Sequence, residues 1–402
     1  MLKPSPRRLV IVSHVVHYRH GKRLHAWGPY AHELDVWADL FPEVVIAAPC
    51  RDAPPPGDAR AFMRSNIAIS PLPEMGGNGL GAKLCAAVSL PWLCWRLAKV
   101  LRTADAVHVR CPGNWGLLGA VLAPLLARRR IAKYAGQWPD YPGEALTFRL
   151  QKLILRSRWW GAPVTVYGDW PGQPRHIIPF FTSVMTSEQL KAAREHAKTR
   201  RFGFPWRVIF AGRLTKERNV HTLLQAVRIL RQKDTRIECH VLGDGPMFAN
   251  LNQLTHALKL DDCVRFHGAV SFEQVLQEYS RAHFLVLAAK SEGWGKSIVE
   301  GMAFGLVCIG SNTGVVPQIL ASGRGVTVSP GNAQELAGVL DGFIQDPERC
   351  LRVSIKAAEW AARYTLDGLR DALRELMEKQ WGVALQRVAT ERETPAVSLA
   401  GQ

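Results

Sequence analysis

Residues 207–214, Arg-Val-Ile-Phe-Ala-Gly-Arg-Leu (RVIFAGRL), form an apolar run of strand length that ends at a glycine. NVHTLLQAVRILRQ follows at 219–232, with apolar residues recurring at helical spacing. A strand thus feeds a crossover helix, and the alternation continues through IECHVLGDG (237–245), VRFHG (264–268), HFLVLAAK (283–290) and LVCIGS (306–311). Strands that are apolar throughout, rather than at every second residue, belong to parallel sheets covered on both faces. The same order occurs earlier, in RLVIVSHVV (8–16), EVVIAAP (43–49), AVHVRCP (106–112), IAKYAGQW (131–138) and PVTVYG (163–168). RVIFAGRL is therefore a restart, and the chain is predicted to be α/β with two Rossmann-like, doubly wound domains.

The 402 residues suffice for two such domains, each with its own core. We place the first at 1–195 and the second at 205–363, joined through the polar helix SEQLKAAREHAKTRR and FGFPW. A helix, LDGLRDALRELMEKQW, closes the fold within 364–381, and residues 382–402 lack any sustained period and read as a flexible tail. Eight cysteines without CxxC pairing argue against a disulfide framework or zinc site and fit a reducing cytoplasm. The apolar run near the N-terminus is short, broken by Ser13 and His14, and reads as a first strand rather than a signal peptide. Residues 80–100 are too interrupted by Lys83, Pro91, Arg96 and Lys99 to span a bilayer; they read as a helix on the sheet or as an interfacial amphipathic element.

Charge is distributed unevenly. The formal net charge is +17, and residues 1–200 hold 27 Lys and Arg against 13 Asp and Glu, which is +14 of it. Such a surface attracts an anionic membrane, a phosphate-bearing substrate or nucleic acid. No nucleic-acid recognition motif accompanies it, so nucleic acid is not the expected partner.

Four places in the second half lie at carboxyl ends of strands, where open α/β sheets bind ligands. In AGRLTKERN, Arg213 follows Gly212 directly and Arg218 comes five residues later; two guanidiniums there can clamp a diphosphate or pair with nearby acids. In VLGDGPMF, Gly243 and Gly245 permit a tight turn and close backbone approach. VRFHGAVSFEQV runs through Gly268 into a helix with the capping box Ser271 and Gln274, a structural feature. The fourth is SEGWGKSIVE (291–300), in which Glu292 and Glu300 flank a turn made by Gly293 and Gly295. A helix beginning near Ser297 would turn the amides of Gly295, Lys296, Ser297 and Ile298 outward as an anion site. Two carboxylates on either side of a phosphate site suit a nucleotide sugar, which has hydroxyls at both ends of its diphosphate.

AGRL, LGDGP, VRFHGAV, EGWGKSIVE, GMAFG and TGVVPQIL together resemble the retaining GT-B glycosyltransferases of family 4 over residues 207–364. The resemblance implies two Rossmann-like domains facing across a cleft, with the C-terminal helix returning to the first. It implies that Glu292 hydrogen-bonds the donor hexose, Glu300 the ribose, and Arg213 the diphosphate. The family's usual lysine falls at Arg218. Catalytic roles are thereby expected for Glu292, Arg213 and Arg218, and donor contacts at Gly212, Gly243, Gly245, Gly293, Gly295, Lys296, Ser297, Ile298 and Glu300. Gly28, in Trp27-Gly28-Pro29-Tyr30, stands nearest to the family's glycine loop after the first strand. A histidine that the family often carries is replaced by Ala135-Gly136-Gln137-Trp138, and Gln318 takes a position that is usually acidic.

The resemblance further implies transfer with retention, no metal and no cofactor beyond the nucleotide-sugar co-substrate. The positive first domain would meet a saccharide or polyprenyl-linked acceptor of cell-surface polysaccharide or lipopolysaccharide synthesis, with the protein peripheral at the inner face of the cytoplasmic membrane. A nucleotide-sugar epimerase on the same fold is the nearest rival, and a non-catalytic nucleic-acid binder is the rival of another class.

Overall fold

The computed structural model describes residues 5–75 and 80–385, with residues 80–87 in backbone only. The chain divides into two compact units: Met1–Gly136 with Asp140–Phe180 and Leu366–Gln402, and Gln137–Pro139 with Phe181–Thr365.

In the first unit the elements are β1 (Arg8–Val12), β2 (His17–His20), β3 (Arg23–Trp27), α1 (Gly28–Ala38), β4 (Glu43–Arg51), β5 (Ala59–Ala61), β6 (Ile67–Leu72), α2 (Leu80–Leu101), β7 (Ala106–Cys111), α3 (Asn114–Leu126), β8 (Arg130–Tyr134), α4 (Leu146–Arg156), β9 (Val164–Tyr167) and β10 (Ile177–Phe180). β10, β9, β8, β7, β1, β4 and β6 pair in parallel, and the β2–β3 hairpin with β5 extends the far end of β4. The five strand runs expected from the sequence are β1, β4, β7, β8 and β9. Sequence reading passed over the hairpin because HYRH and RLHAW carry too many polar residues to look like strands. It also passed over β6, whose IAISPL contains a proline; that proline lies at the sheet's edge, where a missing N–H is tolerated.

In the second unit are α5 (Ser187–Thr199), β11 (Trp206–Ala211), α6 (Val220–Gln232), β12 (Ile237–Leu242), α7 (Phe248–Ala257), β13 (Val264–Gly268), α8 (Phe272–Arg281), β14 (Phe284–Leu287), α9 (Lys296–Ala303), β15 (Val307–Ser311), α10 (Val316–Leu320), β16 (Gly325–Val328), α11 (Ala333–Ile344) and α12 (Pro347–Ala361). Its sheet is parallel throughout, in the order β13-β12-β11-β14-β15-β16. Buried aliphatic residues fill β11 and β14 at its centre, so helices cover both faces.

The unit boundary falls at Phe180/Phe181 rather than near residue 195. The helix SEQLKAAREHAKT, α5, buries Leu190, Ala193 and Ala197 against α9 and α12 and is part of the second unit. The closing helix α13 (Leu366–Trp381) belongs to the first unit, where it packs on α1 and brings Trp381 to within 6.5 Å of Phe41, centroid to centroid. Of the tail expected at 382–402, residues 386–402 lie outside the described residues.

Candidate functional site

Three loops at the carboxyl ends of β11, β12 and β13 are sewn together by backbone. The Gly212 amide donates to the Leu242 carbonyl at 3.0 Å, Leu214 to Asp244 at 2.9 Å and Gly243 to Gly268 at 2.8 Å. Gly243 has φ of 133°, and a Cβ there would lie 1.9 Å from the Gly212 carbonyl oxygen. A Cβ on Gly245 would lie 2.5 Å from the Leu214 carbonyl. The Gly245 amide itself bonds to the Asp244 carboxylate at 2.7 Å. The N–H groups of Gly212, Gly243 and Gly245 have partners within the frame, and glycine is required at 243 and 245 because backbone packs on backbone there.

The frame presents Arg213 exposed, with no carboxylate partner for its guanidinium among the described residues. Arg218 behaves differently. It ends a 3₁₀ turn, Lys216–Arg218, and its guanidinium pairs with the Glu292 carboxylate. Of the two readings of Arg218, pairing with a nearby acid is the arrangement seen, and Glu292 is that acid. The Glu292 carboxylate also accepts from the Gly293 amide at 3.0 Å, and its own amide donates to Gln137 at 3.3 Å. Gly314 closes behind the loop, since a Cβ there would lie 2.2 Å from the Glu292 carbonyl. Gln137 and Gly314 were not predicted to act here. Gln137 stands in the stretch that lacks the family's histidine, and the TG of TGVVPQIL was the only signal for Gly314.

Gly295 takes φ of 69° as the residue before α9, which receives no side-chain cap. The helix starts at Lys296, one residue earlier than expected. The Ile298 amide is taken by the Gly295 carbonyl at 2.9 Å, which removes it from the expected phosphate donors. The amides of Gly295 and Ser297 have no internal hydrogen bond among the described residues, leaving a positive helix end that accepts an anion.

Glu300 sits one turn into α9, buried, and accepts from the Tyr279 hydroxyl at 3.2 Å. Burial pushes its carboxyl from 4.5 up to about 7, although Lys296 and Tyr279 pull the other way. A small cavity of about 10 Å³ beside it is lined by Thr182, Ser183, Trp294, Lys296 and Tyr364. Tyr279, the hydroxyl partner, lies in a helix that showed no functional signal in the sequence.

Within the first unit, Gly28 opens α1 and its amide donates to the Asp58 carbonyl at 2.9 Å. Its N–H is therefore taken within the first unit. At the carboxyl ends of β7 and β8, Arg110 and Lys133 are both buried and both reach Glu33 of α1, at 2.8 and 3.0 Å. Burial lowers the Lys133 ammonium to about 8, against the pull of Glu33. Two cations over one carboxylate leave the group positive, and sequence reading missed it because both residues sit inside apolar strand runs.

The metal question narrows to one cluster among the described residues, His240, His267 and Glu278. The imidazoles face each other at 2.9 Å, with Glu238 at 3.5 Å from the other His240 nitrogen. Hydrogen bonding between the rings accounts for the arrangement.

Two Rossmann-like units with parallel sheets, the second carrying glycine-framed loops and a helix N-terminus between two glutamates, define the GT-B glycosyltransferase fold. The fold comparison agrees: the Anabaena protein Alr3699/HepE, solved in complex with UDP and glucose, superposes with a TM-score of 0.65 at 16% identity, covering 93% of this chain and 99% of that one. Residues 192–360 match the family model of the glycosyl transferases group 1. It is 25% identical to the alpha-D-kanosaminyltransferase of Streptomyces kanamyceticus over 71% of this chain and 80% of the relative. It is 21% identical to the alpha-monoglucosyldiacylglycerol synthase of Streptococcus pneumoniae over 61% and 60%.

Proposed function

We propose that this protein transfers a hexose, with retention of anomeric configuration, from a nucleotide-diphosphate sugar to a saccharide or lipid-linked acceptor in cell-surface polysaccharide or lipopolysaccharide synthesis. The observation that carries the reading is the α9 N-terminus, uncapped and flanked by Glu292 on the loop and Glu300 one turn inside. The donor diphosphate rests on the amides of Gly295 and Ser297, its ribose hydroxyls donate to Glu300 and its hexose hydroxyls to Glu292. One relative is named for transfer of a kanosaminyl group and another for synthesis of a glucosylated diacylglycerol, a lipid.

Transfer requires charge to be stabilised on the departing diphosphate as the acceptor hydroxyl attacks the same face of the sugar. Arg213, Lys296 and the α9 helix end supply that charge, so no divalent metal is needed. The diphosphate oxygen takes the acceptor proton. Arg218 acts through Glu292: it neutralises the carboxylate and sets its rotamer, and is a positioning residue. Charge-assisted hydrogen bonds of this kind contribute about 1.5–3 kcal/mol each. The buried Arg110, Lys133 and Glu33 group of the first unit receives an anionic part of the acceptor.

Incubation with UDP-, GDP- and ADP-hexoses and lipid-linked saccharide extracts, with and without EDTA, tests the reading. The expected product has the donor's anomeric configuration by NMR, forms equally with EDTA, and falls about 10- to 100-fold in kcat/KM in Arg213→Ala. An inverted product, or activity abolished by EDTA, contradicts it.

A further inference from the structure

Helix α4 turns much of its apolar surface outward. Its buried face carries Leu155 together with Gln151, which accepts from the Gly113 amide at 3.1 Å, and Lys152, fully buried and ion-paired to Asp140 at 2.8 Å and Glu144 at 2.6 Å. Its exposed face carries Leu146, Leu150 and Leu153, respectively 79%, 47% and 62% exposed. A helix whose outer face meets only water has the reverse arrangement. The spacing of i, i+4 and i+7 makes these leucines one stripe.

Two neighbouring helices carry matching stripes. In α2, Leu93, Leu97 and Leu101 face the core while Val88, Trp92 and Trp95 are exposed along the opposite side. Uncharged α3 exposes Val121 and Leu125. The steps β6 to β7, β7 to β8 and β8 to β9 all cross the sheet in the same direction, so right-handed crossovers lay α2, α3 and α4 on one face. There α3 packs against both of the others. The three stripes therefore lie on adjacent helices of one face, and a contiguous exposed apolar patch of this kind marks an interaction site.

Its charge identifies the occupant. None of the three helices contains an acidic residue, whereas Arg96, Lys99, Arg149 and Arg156 lie among the stripes. Arg96 stands 5.0 Å over the Trp92 ring and Lys99 4.6 Å over Trp95, which places cation and amphipathic ring together at the outer surface. Tryptophan with lysine or arginine is the composition of a membrane interface. Among the described residues no helix is long and apolar enough to cross a bilayer, so contact ends at the headgroup and upper acyl region.

We infer that the α2–α3–α4 face docks on an anionic lipid bilayer. The leucines and tryptophans enter the interface and the basic residues meet lipid phosphate. This deepens the proposed use of a lipid-linked acceptor, yet vesicle binding is measured without donor or acceptor, so failure of one leaves the other standing.

The full chain is floated with vesicles of phosphatidylcholine alone and with about 30% phosphatidylglycerol. The comparison variant is Leu146→Glu/Leu150→Glu/Leu153→Glu, whose exposed positions leave the core untouched; its circular dichroism melt is followed alongside. Binding is expected only with anionic lipid, weaker at high salt, and reduced about tenfold or more in the triple variant at an unchanged melting temperature. A brominated acyl chain is expected to quench fluorescence in the parent more than in Trp92→Phe/Trp95→Phe. Absence of flotation on either vesicle overturns the inference. So does equal binding by the triple variant, or a dimer in solution that this variant alone dissolves, which would make a second copy the occupant.

Discussion

Burial lifts the Glu300 carboxyl to about 7 even though Lys296 and the Tyr279 hydroxyl both favour its ionised form. Its unfolded value is near 4.5, so the folded chain binds more protons between those limits and stability falls as pH rises from about 4.5 to 7. Ionising a group held this way costs roughly 3 kcal/mol, so Glu300→Gln is expected to raise the melting temperature of the free protein at pH 8 and leave it little changed at pH 4. Ribose hydroxyls that donate to the carboxylate reverse the preference. Nucleotide affinity, measured by calorimetry, is expected to strengthen from pH 5.5 to 8 with proton release, and to be flat and weak in the Gln variant. A flat parent profile would remove ribose from Glu300.

Arg218 presents a second residue-scale case. If it positions Glu292, Arg218→Ala should lower kcat about 10-fold or more and Arg218→Lys should recover most of that, with KM for the nucleotide little altered. Loss of nucleotide binding in Arg218→Ala would instead return the guanidinium to the diphosphate. The sequence marked both residues as candidates but could not show that they meet, because 74 positions separate them and only the loops after β11 and β14 bring them together.

At the scale of elements, the glycines after β11 and β12 are a packing device. A methyl on Gly243 would meet the Gly212 carbonyl from a backbone angle that side chains rarely adopt, so Gly243→Ala is expected to destabilise by about 2–4 kcal/mol in urea titration. A variant as stable as the parent would show that these loops are free to part. GDG was legible as a turn but not as a backbone contact, since nothing local in the sequence says what the turn rests on. Parallel strands were legible because burial on both faces makes them apolar end to end, as in FLVL of β14. The hairpin β2–β3 was not, because half its side chains face water. Helix α4 was not read from the sequence: spacing can mark a helix but cannot say which face turns inward, and the answer depends on Glu144 and Asp140 pairing with Lys152.

For the whole molecule, the two units differ, one presenting positive charge and an apolar three-helix face, the other an uncapped helix end between two acids. The GT-B fold was legible from the restart at RVIFAGRL together with the E-x7-E stretch, whereas the exact division was not: α5 looks like a linker until Leu190, Ala193 and Ala197 find α9 and α12. The central claim is that a nucleotide sugar lies along α9 with its diphosphate at the helix end. Thermal shift across UDP-, GDP- and ADP-sugars, in the parent and in Glu300→Ala and Arg213→Ala, tests it directly. Stabilisation by sugars of one base, lost in both variants while their unliganded folds remain intact, is predicted; no response to any donor, or a response that both variants retain, would contradict it.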